Sequence, residues 1–352
     1  MWFDEKINRW VGQLTMPDGK KRTKKAKTQS EVKKWLLEQR KAVQDGLYLQ
    51  DDSYTVSRFL DRYFADIAEH KLAPRTILSY QNLRKYIEPT LGNLKLSALR
   101  ADHLQKLYSD KLNEGLSHGT VQTIHQFVHL VLNYALKWGL VVRNVADQAD
   151  APGTNKEPAT VLTAAQANRL LEIAKEDTFQ WYTLYLCAIT LGLREGELLA
   201  MDWNCVNWEK HTIRVEKQLQ YLPGKGLIIK SPKTRGSYRT LPLPDVTYQA
   251  LLDHAPASKV GLIFHTSVGT PYNPRNVLRH FHALLKKMDL PTMPFHNLRH
   301  SCASFHLMLG TNPRVVSELL GHSSSTITLN LYSHLLPGVG EEAAKKMSTI
   351  FD

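Results

Sequence analysis

The segment from Asp150 to Pro158 constrains the fold of this chain more than any other, because it joins proline, glycine and polar side chains without any hydrophobic period. The pattern changes across it. On its N-terminal side, residues 53 to 150 carry apolar side chains at helical spacing throughout; on its C-terminal side, helical stretches enclose short runs that alternate like strands. The main domain boundary is therefore placed there, with residues 151–160 as the linker. The expected fold class is mainly α with small antiparallel β-sheets (α+β).

The stretch before the linker reads as a helical bundle. Phe59, Leu60, Tyr63, Phe64 and Ile67 form one apolar stripe, and Ile77, Tyr80, Leu83, Tyr86 and Ile87 a second. A third runs through Leu104, Leu107, Tyr108 and Leu112 to the break at Gly115. A fourth, longer helix follows Ser117 through Val121, Ile124, Val128, Val131, Leu132 and Ala135 to Gly139. Arg75, Lys85, Lys95, Arg100, Lys106 and His118 are placed to face phosphates, although solvated basic faces on an ordinary bundle explain them equally.

Residues 1–50 look like an appended module. A short strand at Trp2 and Phe3 precedes an alternating one from Arg9 to Met16, and Pro17, Asp18 and Gly19 signal a hairpin turn. The returning strand carries Lys20, Lys21, Arg22, Lys24, Lys25 and Lys27. Thr28 and Glu31 then form a capping box for a helix bearing Val32, Trp35, Leu36 and Val43. A three-stranded sheet backed by a helix suits a DNA groove; a lysine-rich edge strand protected from aggregation is the plainer alternative.

After the linker, Thr163 and Gln166 cap a helix, and an apolar helix from Trp181 to Leu191 leads into Gly192, Leu193 and Arg194. Strands are expected at Ile213 and Val215, at Leu227 to Lys230 and at Arg239 to Leu243, as one small antiparallel sheet. Helices resume at Leu251 and continue to the end.

A formal charge of +12 marks a surface that attracts polyanions, nucleic acid first among them. No apolar run reaches membrane-spanning length and the N-terminus has no signal-peptide pattern, so a cytoplasmic protein without a membrane partner is expected. Cys187, Cys205 and Cys302 are far apart, odd in number and set among apolar residues, as reduced core residues would be.

Three polar groups carry the chemistry. Arg194 opens Glu195, Gly196 and Glu197, and Glu197 is spaced to pair with its guanidinium. By itself this pair reads as a structural salt bridge. His296 and Arg299 follow the break at Pro294 and share one face at a helix start, where a guanidinium fork fits two phosphate oxygens; His300 points elsewhere. His322 directly follows Gly321, and Tyr332 lies one short helix further on. Lys233, in the segment from Ser231 to Arg239, is expected at a hairpin tip, with Lys225, Lys230 and Arg235 as competitors. No carboxylate cluster for a metal, no Walker A loop and no zinc-protease motif is present. Two arginines, histidines, a lysine and a tyrosine are together suited to metal-free phosphoryl transfer, with the bond conserved as a phosphotyrosine.

These residues, in this order and spacing, resemble the tyrosine recombinases, and particularly the integrases of phages and conjugative transposons. The motifs are Leu191 to Leu198 around Arg194, Lys233 ahead of Arg239 to Leu243, His296 with Arg299, Leu320 to His322, and Tyr332 to His334. The resemblance implies site-specific DNA cleavage and rejoining through a 3′-phosphotyrosine, without metal, ATP or other cofactor, for integrating and excising a mobile element or prophage. It implies Tyr332 as nucleophile, Arg194 and Arg299 on the non-bridging oxygens and Lys233 as the acid on the leaving oxygen. It further implies His296 as base or phosphate donor, His322 as a phosphate hydrogen-bond donor and Glu197 in support of Arg194. Residues 1–50 would then bind arm-type DNA, residues 53–150 the core site, and residues 161–352 would form the catalytic domain with a C-terminal exchange tail. Double-stranded attachment sites, a homotetramer on DNA and an accessory DNA-bending or excision factor are the implied partners. A DNA-binding regulator without catalysis and a type IB topoisomerase acting as a monomer are the competing readings.

Overall fold

A computed structural model of the chain describes residues 1–16, 21–44, 54–153, 160–222, 224–231 and 238–321. Lys20, Lys233, His322, Tyr332 and the tail from residue 341 lie outside the described residues. The chain divides into two compact units, Met1–Lys156 and Glu157–Asp352.

The first unit begins with a three-stranded antiparallel sheet, β1 (Trp2–Asp4), β2 (Arg9–Thr15) and β3 (Lys21–Ala26), in the order β1-β2-β3. Helix α1 (Gln29–Gln44) follows, with the Glu31 amide donating to Thr28 Oγ1. It packs closely on the central strand: a side chain at Gly12 would lie 2.4 Å from Val32 Cγ1. A larger residue there would have to displace the Val32 side chain.

The bundle comprises α2 (Val56–Tyr63), a π-helical turn at Phe64–Ala68, the single turn α3 (Glu69–Lys71), α4 (Pro74–Leu91), α5 (Ala101–Asn113) and α6 (His118–Lys137). Its core is one cluster built on Phe59, Tyr63, Leu104, Leu107, Ile124 and Phe127. The π turn adds a residue to the register, so Ala68 is fully buried while Ile67 packs part-buried against the same core. Arg100, one of the cations placed to face phosphates, is exposed and forms a two-bond pair with Asp102 at 2.9 and 2.7 Å.

The second unit starts with α7 (Ala164–Asp177), α8 (Phe179–Leu191) and α9 (Glu195–Leu198). Thr163 and Gln166 cap α7 reciprocally at 3.2 and 2.9 Å. Strands β4 (Val206–Asn207), β5 (Thr212–Val215), β6 (Gln218–Leu222), β7 (Gly226–Lys230) and β8 (Arg239–Pro242) come next. They form two sheets, β4-β5-β8 and β6-β7, rather than the one expected, and β6 had no counterpart in the sequence reading. The strands on either side of Lys233 thus belong to different sheets and are not two arms of one hairpin. Helices α10 (Asp245–His254), α11 (Pro274–Lys287), α12 (Asn297–Met308) and α13 (Pro313–Leu320) complete the described unit.

Helix α8 is buried almost all round, in the centre of this unit's core. The three cysteines are buried and free. No helix among the described residues is long and apolar enough to cross a membrane.

Candidate active site

The site is assembled where α8 ends. Gly192 caps that helix in the left-handed conformation, φ 58°, and a Cβ there would stand 2.4 Å from Leu320 Cδ2 and 3.0 Å from Cys302 Sγ. Glycine therefore lets α8, α12 and α13 converge, and two residues later the chain delivers Arg194.

Arg194 precedes α9, and Glu197 lies within that short helix, so the pair is local in sequence. The Arg194 backbone amide donates to Glu197 Oε2 at 3.0 Å, and its Nη1 donates to Oε1 at 2.7 Å. Nη2 reaches the carbonyl of Gly321, at the C-terminal end of α13, at 2.8 Å. The Arg194 side chain is 38% exposed, whereas that of Glu197 is 3% exposed. The guanidinium thus has a buried carboxylate behind it and an open side in front.

Arg299 sits in the first turn of α12, 2% exposed, and donates Nη1 to the Gly192 carbonyl at 2.8 Å. Burial, and then the charges of Arg194 and Arg239, push its guanidinium down to about 9, so it remains charged at neutral pH. His296 immediately precedes the same helix, and its side chain makes no capping bond. Its ring meets His300 edge-on at 4.9 Å. Partial burial, then His300, Arg299 and Arg194, push its imidazole well below the ordinary value, although the residue keeps an exposed edge. A neutral imidazole at pH 7 can accept a proton or donate one hydrogen bond, and an arriving phosphate would raise its basicity.

Arg239 was missed as a site residue. It enters from β8, 8% exposed, and donates to both oxygens of Glu197 at 3.2 and 2.8 Å. Its signal was present: Arg239 alternates with buried Leu241 and pairs across the sheet with buried Val215, so a cation stands on the core face of a strand. Burial alone would raise the Glu197 carboxyl, but the bonds from Arg239 and the charge of Arg194 hold it below its ordinary value.

Of the sequence-derived candidates, the fold brings Arg194, Glu197, His296 and Arg299 together. Arg75 and Lys85 are exposed on α4 in the other unit. Among the described residues no group of three His, Cys, Asp or Glu side chains is arranged to hold a metal ion.

Two guanidiniums thus meet at one buried carboxylate, with a third guanidinium and a histidine close by. The phage integrase family model matches residues 160–338, and the model of the phage integrase N-terminal SAM-like domain matches residues 55–112. The chain belongs to the phage integrase family. It is a tyrosine-type site-specific recombinase, an enzyme that cleaves and rejoins DNA. One relative is a XerC-like tyrosine recombinase of Caldanaerobacter subterraneus, 27% identical over 93% of this chain and 90% of its own length. The integrase of transposon Tn1549, solved with a circular intermediate DNA, shares the fold with a TM-score of 0.75 at 23% identity, over 84% of this chain and all of that one. A lambda integrase tetramer bound to a Holliday junction aligns with a TM-score of 0.62 at 19% identity, over 91% of this chain and 96% of that one.

Proposed function

We propose that Arg194 and Arg299 hold the non-bridging oxygens of the scissile phosphate, with Tyr332 as nucleophile. The Tyr332 oxygen forms a bond to phosphorus as the bond to the 5′ oxygen breaks. His296 takes the phenolic proton, and Lys233 gives one to the departing 5′ oxygen. His322 donates a further hydrogen bond to the phosphate. One phosphodiester bond is exchanged for another, so the freed 5′ hydroxyl of a second strand can reverse the step without ATP.

The carrying observation is the charge balance at Glu197. Arg194 and Arg239 bond the Glu197 carboxylate and Arg299 lies within range of its charge, so these four groups carry a formal surplus of two positive charges beside the exposed face of Arg194. A phosphodiester carries one negative charge and gains another as it becomes pentacoordinate, so the surplus is better matched to the transition state than to the ground state.

The remaining parts are assigned by their charge. In the N-terminal sheet, Gly12 faces α1, so its cross-strand partner Lys24, and Arg22 two residues away, lie on the helix side. Arg9, Gln13, Thr23, Lys21 and Lys25 fall on the opposite face and form the arm-DNA surface of the module at residues 1–50. The bundle at residues 53–150 binds the core site through Arg75 and Lys85, and residues 161–352 carry catalysis. Double-stranded attachment sites are the substrate. Four copies act together, with an accessory bending or excision factor, and residues 341–352 pass between neighbours.

The test is covalent-adduct formation on a nicked duplex copied from the DNA adjoining the gene. Wild-type protein should give a denaturant-resistant adduct, and Tyr332→Phe should bind the same duplex and give none. An adduct in that variant removes Tyr332 as nucleophile. Deleting residues 341–352 should reduce assembly on paired sites; unchanged assembly removes the exchange.

A further inference from the structure

Arg239 does more than balance a buried charge. Besides its two bonds to Glu197, it donates Nε to the carbonyl of Leu319 at 2.8 Å. Arg194 meanwhile holds the Gly321 carbonyl. Two guanidiniums thus grip the C-terminal end of α13, where backbone carbonyls have no partner within the helix and the helix dipole is negative. Both guanidiniums also share the Glu197 carboxylate, so strand β8, helix α9 and the end of α13 meet at one ionic node.

The node settles how Glu197 can serve Arg194. A buried carboxylate paired with Arg194 alone would form a neutral couple and cancel the charge that a phosphate needs. With Arg239 on its other side, the trio keeps a net charge of +1, and Glu197 fixes the orientation of Arg194 without silencing it. We infer that Arg239 is a positioning residue for DNA cleavage: it preserves the charge of Arg194 against Glu197 and anchors the end of α13 to that pair. The inference rests on the phosphate-binding role proposed for Arg194.

Three variants test it on the same nicked duplex, by single-turnover adduct formation, DNA affinity and thermal unfolding. Arg239→Gln should slow cleavage by about 10²-fold, the scale of losing one preorganised electrostatic contact, with affinity changed less than about threefold. Arg239→Lys keeps the charge but lacks the fork and the reach to Leu319, so it should be slowed by about tenfold. Glu197→Gln combined with Arg239→Gln removes the carboxylate that Arg239 balances, and should cleave faster than Arg239→Gln alone. A contact that only supported folding would give additive losses, falling on stability instead of on rate.

A wild-type rate in folded Arg239→Gln, a loss confined to affinity, or a double variant no faster than the single one would each overturn the inference. If Arg239→Gln does not fold, Arg239→Lys decides: cleavage at the wild-type rate refutes the positioning role. Absence of adduct from the wild-type protein would instead count against the catalytic reading, so the two failures are distinguishable.

Discussion

The cations of β3 and those around Glu197 are the same charge put to opposite uses. Lys21, Lys24 and Lys25 are exposed, on a strand whose alternation separates Lys24 from the other two. Arg239 and Arg299 are almost wholly buried, and each of their guanidiniums is held at named oxygens. An exposed lysine is a hydrated point charge that acts through its number and is screened by salt. A buried guanidinium acts through its direction, and it tolerates burial because its neighbours satisfy it. Substitutions in the two regions should therefore differ in kind as well as in size.

The largest effect is expected at Arg299. Arg299→Lys keeps a positive charge but loses the planar fork that bonds the Gly192 carbonyl while facing the site. Single-turnover cleavage should fall by about 10²–10³-fold, with DNA affinity nearly unchanged. Loss of affinity without loss of rate would place Arg299 in the same class as the β3 lysines and dissolve the contrast.

A second contrast lies between two glycines. Gly192→Ala forces alanine to φ 58° and into Leu320 and Cys302, so about 3 kcal/mol of stability should be lost. Gly12→Ala meets only Val32 and Leu36 side chains, without a left-handed backbone, and about 1 kcal/mol is expected. Urea midpoints measured at constant slope compare them. Equal costs would show that the junction of α8, α12 and α13 is looser than its geometry.

These contacts also mark what could be read from the chain. The helical stripes, the capping box at Thr163 and the pairing of Arg194 with Glu197 are local, since each depends on residues three or four apart. His296 and Arg299 were likewise placed on one helix start by spacing alone. The role of Arg239 depends on Glu197, 42 residues away, and on Leu319, 80 residues away, which no local pattern joins. The π turn at Phe64 is a register change inside an unbroken stripe. The division of the strands into two sheets depends on pairing, which alternation does not specify. Motif spacing pointed to Lys233, His322 and Tyr332 and the family resemblance supplied their roles; they lie outside the described residues.

Acid should also separate the two units. His254, His280, His296, His300 and His306 in the second unit all have imidazoles lowered chiefly by burial, against His125 in the first. Such groups bind protons more readily unfolded than folded. Stability present at neutral pH is therefore lost as pH falls below the ordinary imidazole value of about 6.5 towards the lowered folded values. Hydrogen exchange corrected for its intrinsic pH dependence should show protection lost from Glu157–Asp352 before Met1–Lys156. Simultaneous loss would mean that carboxylate pairs common to both units dominate.

The smallest effect is expected from the β3 lysines, and its form matters more than its size. Lys21→Gln with Lys25→Gln removes two exposed charges from the face opposite α1. If both touch phosphates, the slope of log affinity against log salt should fall by about 1.8, two counterions at roughly 0.9 each. The cleavage rate at saturating DNA should not move, because neither lysine meets the ionic node at Glu197. Lys24→Gln, on the helix side of the same strand, should leave the slope unchanged. A shift with Lys24 as large as with Lys25 would show that the strand acts as a diffuse cationic patch, and the distinction between charge that is counted and charge that is aimed would then apply only to the catalytic unit.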